Sequence, residues 1–371
     1  IKKFPGKEGK CVSSWGTALK KLIYDCGTDV FEFDAGSMRI LLEKGFCEST
    51  SDFVTEAKRF DENFNTDDIL QALRNVWIMN CLQILMGLEV KATPSVFAYS
   101  MLYPYTDNFL DDGMISEEIK KTINQRFERR LAGECIRVDS EYEARLFKLV
   151  EIIESQFNRR SYPLVYDSLL SIHSAQAKSL KLHDDKLDEG CRNILDISFE
   201  KGGSSVLADA CLVKGNISPE EASFAFGFGI VLQLLDDLQD ASVDHHNGHK
   251  TLFSGKNTRT NIEKNTNRLF NFTCRLMNEN SISGSPEAAI LMKTIRKSID
   301  IILFMAIASN GMYSRDYLSR LEIYSPISFR YCKKLNKRIS KEYGRLKMKF
   351  AIKPLEVEMA NAFARGEAIT L

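Results

Sequence analysis

The chain of 371 residues carries fifty basic and fifty acidic side chains, a formal net charge of zero. That balance excludes bulk attraction for nucleic acid or an anionic lipid surface, so any charge chemistry must be local. Nine dispersed cysteines with no C-x-x-C pair read as reduced thiols and point to a cytoplasmic setting. The longest purely apolar run, residues 301–308, is far short of the roughly 18–20 residues a spanning helix requires, so no transmembrane segment is expected.

Periodicity is helical almost throughout. The stretches opening at Trp15, Met38 and Phe53 and the long run 67–88 recur at three and four, while strand alternation is nearly absent. Five of the eight prolines (Pro94, Pro163, Pro219, Pro286 and Pro326) stand where helices can begin. The expected fold is all-α, a single-domain bundle of about ten or more helices around a deep apolar pocket. Residues 1–92 form N-terminal helices packed on a core of residues 93–350, with 351–371 a tail of the same domain.

Thr93-Pro94 opens a helix that ends in acid. Asp107 and Asp111 lie one turn apart with Asp112 beside them, and Gly113 is a natural stop. Tyr103 shares the face of Asp107, Phe97 and Tyr99 flank it, and Pro104 should kink the helix. Three long helices follow, at 139–157, 162–181 and 187–213, the last expected to bend at Gly202-Gly203. Ser218, Pro219 and Glu221 then give an N-cap, a first-turn proline and a capping box. The helix they open ends with Asp236, Asp240 and Asp244 at spacings of four, about 6 Å apart on one stripe below Phe224, Phe228 and Leu232.

Stacked carboxylates repel, and acid at a helix C-terminus opposes the macrodipole, so a cation between them is a better reading than a solvated acidic turn. Hard oxygen donors with no His or Cys interleaved suit Mg²⁺, which takes one or two carboxylates, waters and substrate phosphate oxygens. Two acid-ended apolar helices facing each other would make a greasy pocket with a metal and diphosphate mouth, a site for an isoprenoid diphosphate. His245, His246 and His249 lack the partners for a zinc site and read as a flexible polar lid, with residues 250–253 placed to close over diphosphate. A last basic helix, opened by Ser325-Pro326, carries Arg330-Tyr331.

Gly229, Gln233, Asp236, Asp237 and Asp240 resemble the second aspartate motif of the trans-isoprenyl diphosphate synthases, with Leu232 where an aromatic is usual. Lys201, within Phe199-Glu200-Lys201-Gly202-Gly203, is similar to their diphosphate-binding lysine segment. Asp107-Asn108-Phe109-Leu110-Asp111 resembles the first motif of squalene and phytoene synthases. Arg330-Tyr331 resembles the Arg-Tyr pair of microbial terpene cyclases, and Arg192 stands near their diphosphate-sensing arginine. The resemblance, over roughly residues 93–335, is to the class I isoprenoid synthase superfamily. It implies the class I terpenoid synthase fold and a cluster of about three Mg²⁺ ions, with Mn²⁺ as an alternative. Metal ligands would come from Asp107, Asp111, Asp112, Asp236, Asp240 and Asp244. Substrate contacts would come from Arg192, Lys201, Arg330, Tyr331, Phe97, Tyr103, Phe224 and Gln233.

Two branches stay open. A terpene synthase ionises an allylic diphosphate and rearranges or deprotonates the cation; a prenyltransferase captures it with a second isoprenoid. The arginine pair that follows the first motif in chain-elongating enzymes is absent, and together with Arg330-Tyr331 this favours the synthase. Lys201 and Gln233 favour the transferase. From another class, a catalytically silent partner subunit would not need two acid clusters. No nucleic-acid partner is expected, and a homodimer is compatible with the resemblance.

Overall fold

The computed structural model describes residues 10–180, 191–254, 259–279, 282 and 284–349, and every regular element among them is helical. In chain order these are α1 (Lys10–Asp29), α2 (Ala35–Glu43), α3 (Phe46–Phe60), α4 (Thr66–Leu85), α5 (Pro94–Asp111), α6 (Glu117–Leu131), α7 (Glu141–Gln156) and α8 (Pro163–Ser179). They continue with α9 (Cys191–Lys214), α10 (Pro219–Gln239), α11 (Ala241–Asn247), α12 (Arg259–Glu279), α13 (Pro286–Ser309), α14 (Arg315–Glu322) and α15 (Phe329–Lys349). The tail at 351–371 lies outside the described residues. Among the described residues no helix is long and apolar enough to cross a membrane.

The helix starts follow local chemistry. Thr93 accepts from the Val96 amide and Pro94 occupies the first turn of α5. Ser218 and Glu221 close a reciprocal capping box on α10, and Asn65 with Asp68 does the same on α4. Pro326 does not start a helix. Ser325 Oγ turns to donate to the Ile327 carbonyl at 2.7 Å, and α15 begins at Phe329, with Ser328 Oγ accepting from the Tyr331 amide at 3.3 Å. The sequence offered two serines there, and the second makes the cap.

One apolar cluster runs from Ile40 on α2 to Cys332 on α15, so the N-terminal helices share the core of the rest. The most intimate pair within it is α9 with α10. α9 continues as helix through Gly202 and Gly203, and these glycines open room for α10. A Cβ on Gly229 would stand 2.0 Å from the Gly202 carbonyl oxygen, and one on Gly203 would stand 2.5 Å from the Phe226 ring. Backbone therefore meets backbone at this crossing, which fixes Lys201 on α9 beside the acid end of α10.

α10 ends at Gln239, and Asp240 both caps it and starts α11. The hydrogen-bond ladder nevertheless runs on, from Asp240 N to Asp236 O and from Asp244 N to Asp240 O, each at 2.9 Å. The three aspartates keep one register across the junction.

Candidate active site

A cavity of about 720 Å³ opens among α2, α3, α4, α5, α9, α10 and α13. Its body is apolar, with Leu42, Phe46, Ile78, Phe228, Leu291 and Ile295 among the walls. Arg74, Tyr103, Lys201, Gln233, Asp236 and Gln239 are among its polar lining and make its mouth.

The polar part is an interleaved set of acids and bases. Arg74 Nη1 lies 3.6 Å from Asp236 Oδ1, and Lys201 Nζ lies 3.8 Å from Asp107 Oδ1. Gln71 Nε2 donates to the other Asp107 oxygen at 3.2 Å. Burial raises the Asp236 pKa; Arg74 and Lys201 oppose the rise, and the negative charges of Asp244 and Asp107 add to it. Asp236 thus senses acid from α11 and from α5. Burial also raises Asp240, reinforced by Asp236 and Asp244. Tyr103 is raised first by burial and then by Asp107, with Lys201 and Arg74 countering. Partly desolvated acids with raised pKa values gain most from a bound cation, which would favour the ionised form.

Asp237 faces the other way. It is buried, with Gln233 Nε2 one turn back on α10 donating to it at 2.8 Å and Ser198 Oγ of α9 donating at 3.5 Å. Burial pushes its carboxyl up to about 7.

Of the residues singled out by sequence, Asp107, Asp236, Asp240, Asp244, Lys201, Tyr103 and Gln233 come together at or beside this mouth. Others stand elsewhere. Phe97 packs in the core between Phe53 and Phe60, with ring centroids 5.8 and 5.9 Å away. Phe224 is fully buried and stacked on Phe228, and it is Phe228, one turn on, that reaches the cavity. Asp112 is exposed and its Oδ1 accepts from the Met114 amide at 2.8 Å, closing the turn after α5. Arg330 is exposed and Tyr331 half-exposed on α15, where Phe329 and Cys332 take the inward positions; neither member of the pair lines the cavity. The side chains of Asp111 and Arg192 lie outside the described residues.

The expected lid is a tied loop. Phe253 is fully buried, Ser254 Oγ donates to the His249 carbonyl at 2.6 Å, and the Thr251 amide donates to Ser254 Oγ at 2.8 Å. His245 Nδ1 is 2.9 Å from the Ser254 carbonyl and His249 Nδ1 is 3.3 Å from Asp244 Oδ1, so both imidazoles brace the loop.

Sequence reasoning read α4 as a helix but missed its part in the site. Gln71, Arg74, Asn75 and Ile78 form one stripe, and their mixed polarity hid a face that meets Asp107, Asp236 and the cavity. The signal was available as polar residues breaking an otherwise apolar helical face.

Among the described residues, no three His, Cys, Asp or Glu side chains form a ready-made metal cage. Mg²⁺ typically takes only one or two carboxylates and fills its remaining positions with water and phosphate oxygens. Asp107 and Asp236, supplied by different helices and each with a cation beside it, fit that demand. No protein-family model, curated protein or solved structure matches the chain.

Proposed function

We propose that the chain is a Mg²⁺-dependent class I terpene synthase, which ionises an allylic isoprenoid diphosphate to a carbocation and releases diphosphate. The observation that carries this reading is the convergence of Asp107 and Asp236 at the mouth of one apolar cavity, with Lys201 and Arg74 alongside. A diphosphate brings several negative charges. Lys201 and Arg74 can donate to its oxygens, while the aspartates would hold Mg²⁺. When bound, the metal supplies Lewis-acid stabilisation of the leaving diphosphate.

The hydrocarbon belongs in the cavity. Tyr103 at the mouth and Phe228 in the wall are aromatic side chains whose π faces favour a cation, and the apolar walls keep water from it. Ile23 and Trp77 also line the space while staying 39% and 46% exposed, which gives a long chain apolar surface to follow.

A second reading, condensation of two isoprenoids, draws support from Lys201 and Gln233 both lining the mouth and from the placement of Arg330-Tyr331 away from it. The absent arginine pair after Asp111 keeps the synthase ahead. Purified protein incubated with Mg²⁺ and geranyl, farnesyl or geranylgeranyl diphosphate, with and without isopentenyl diphosphate, separates the two. Hydrocarbon or alcohol formed without isopentenyl diphosphate supports the synthase. A longer diphosphate formed only in its presence transfers the assignment to the prenyltransferase.

A further inference from the structure

Asn75 is an unusual wall for an apolar cavity. It is 6% exposed, and an amide buried there is costly unless its polar atoms are matched. Its nitrogen is matched: Nδ2 donates to Ser100 Oγ at 3.2 Å and to Asp209 Oδ1 at 3.0 Å, with Met79 Sδ at 3.5 Å. The Ser100 hydroxyl donates to Met79 Sδ at 3.8 Å, which leaves its oxygen lone pairs to accept from the amide.

The Asn75 oxygen is different. It has no hydrogen-bond partner among the described residues, yet it does not count among the sealed, unpartnered atoms as Asp209 Oδ2 does. Because Asn75 lines the cavity, the cavity is where that oxygen is open. Asp209 is fully buried on α9, one turn beyond the cavity-lining Val206, and burial holds its carboxyl well above the usual carboxylate range. The member of the pair that lines the cavity is the neutral amide of Asn75, which presents a dipole and not a full charge.

We infer that Asn75 holds its carbonyl oxygen as a fixed negative dipole towards cationic hydrocarbon in the cavity, and that Asp209 is the positioning residue that keeps the amide turned that way. This rests on the proposed function for its biological meaning. A neutral prenyl chain gains nothing from such an oxygen, whereas a carbocation gains from a preorganised dipole in a low-dielectric wall. The discrimination is of the kind that lowers a barrier, since it favours the charged intermediate over the neutral substrate.

The test uses the full-length protein and two tails, a farnesyl-length alkyl trimethylammonium and its uncharged tert-butyl isostere, each titrated with and without Mg²⁺ and inorganic diphosphate. Wild type should bind the ammonium more tightly than the isostere. Asn75→Leu should lower that ratio by about tenfold while binding of Mg²⁺ with diphosphate stays unchanged. Removing one partner can cost stability, so the Asn75→Leu, Asp209→Leu double variant, which makes both members apolar, serves as the second arm and should show the same loss. Asp209→Asn, which can still accept from Asn75, should keep most of the wild-type ratio. An unchanged ratio in the folded double variant overturns the inference. Failure of wild type to bind Mg²⁺ with diphosphate, with the ratio still falling in the variants, would overturn the proposed function and leave the cation site standing.

Discussion

α10 and α5 both end in aspartates one helical turn apart, and the two ends behave differently. On α10 the helical ladder persists past Asp240, so Asp236, Asp240 and Asp244 keep a common side and act on one another. On α5 the helix stops at Asp111. Asp112 then turns outward to cap its own loop, and Asn108 reaches away to donate to Asp68 Oδ1 at 2.9 Å. Asp107 alone among the described carboxylates of that end faces the cations at the mouth. Spacing by four aligns carboxylates only for as long as the backbone stays helical, so the same pattern means more inside a helix than at its last turn.

The contrast can be broken at several points. The largest effect should come from Asp236→Ala, which removes the acid common to both clusters and should cut diphosphate release from an allylic diphosphate by about a hundredfold or more, measured by coupled diphosphate assay. Asp112→Ala should leave the same rate within about twofold. Next is Gly229→Ala. Its added carbon would meet the Gly202 carbonyl at 2.0 Å, and with backbone on both sides there is no flexible side chain to yield. Thermal or urea unfolding should register a loss of about 1–3 kcal/mol or more. Lys201→Met keeps the bulk of the side chain and removes its charge; diphosphate affinity should fall about tenfold, read by calorimetry. Arg330→Ala and Tyr331→Phe, the pair that sequence distance would place at the mouth, should each change turnover by less than about twofold.

The smallest effect lies away from both acid ends. His173 on α8 is buried, with Nε2 3.1 Å from the Asn124 carbonyl, and burial lowers its pKa from 6.5. The unfolded chain then binds a proton more readily than the folded one. Its contribution to stability is therefore full above 6.5 and is lost as pH falls from there towards the lower folded value. His173→Gln should flatten that part of a stability-against-pH curve without moving the neutral-pH rate.

What could be read from sequence follows the reach of each physical rule. Ser218, Pro219 and Glu221 announced the start of α10 because capping is settled within four residues. The acid stripe was legible because helical period is a local property. Gly202, Gly203 and Gly229 were not legible as a packing surface, since a glycine's meaning there depends on which helix crosses it. Phe97 flanked the face of Asp107 and Phe224 shared that of Asp236, but both were absorbed by neighbouring rings, and the period alone cannot say where cavity gives way to core. Arg330-Tyr331 stood at a suggestive distance along the chain, and distance along the chain does not choose the face of α15. Arg74 and Asn75 were overlooked because polar residues on a helix are more often solvated than turned inward.

The central claim is that acids from two helices meet cations at one mouth to hold Mg²⁺ and diphosphate. Calorimetric titration of inorganic diphosphate into wild type, Asp107→Ala and Asp236→Ala, each with and without Mg²⁺, tests it most directly. The account predicts binding in wild type that requires Mg²⁺ and weakens by about tenfold or more in each variant. Metal-independent binding in wild type, or Mg²⁺-dependent binding that both variants retain in full, would contradict it.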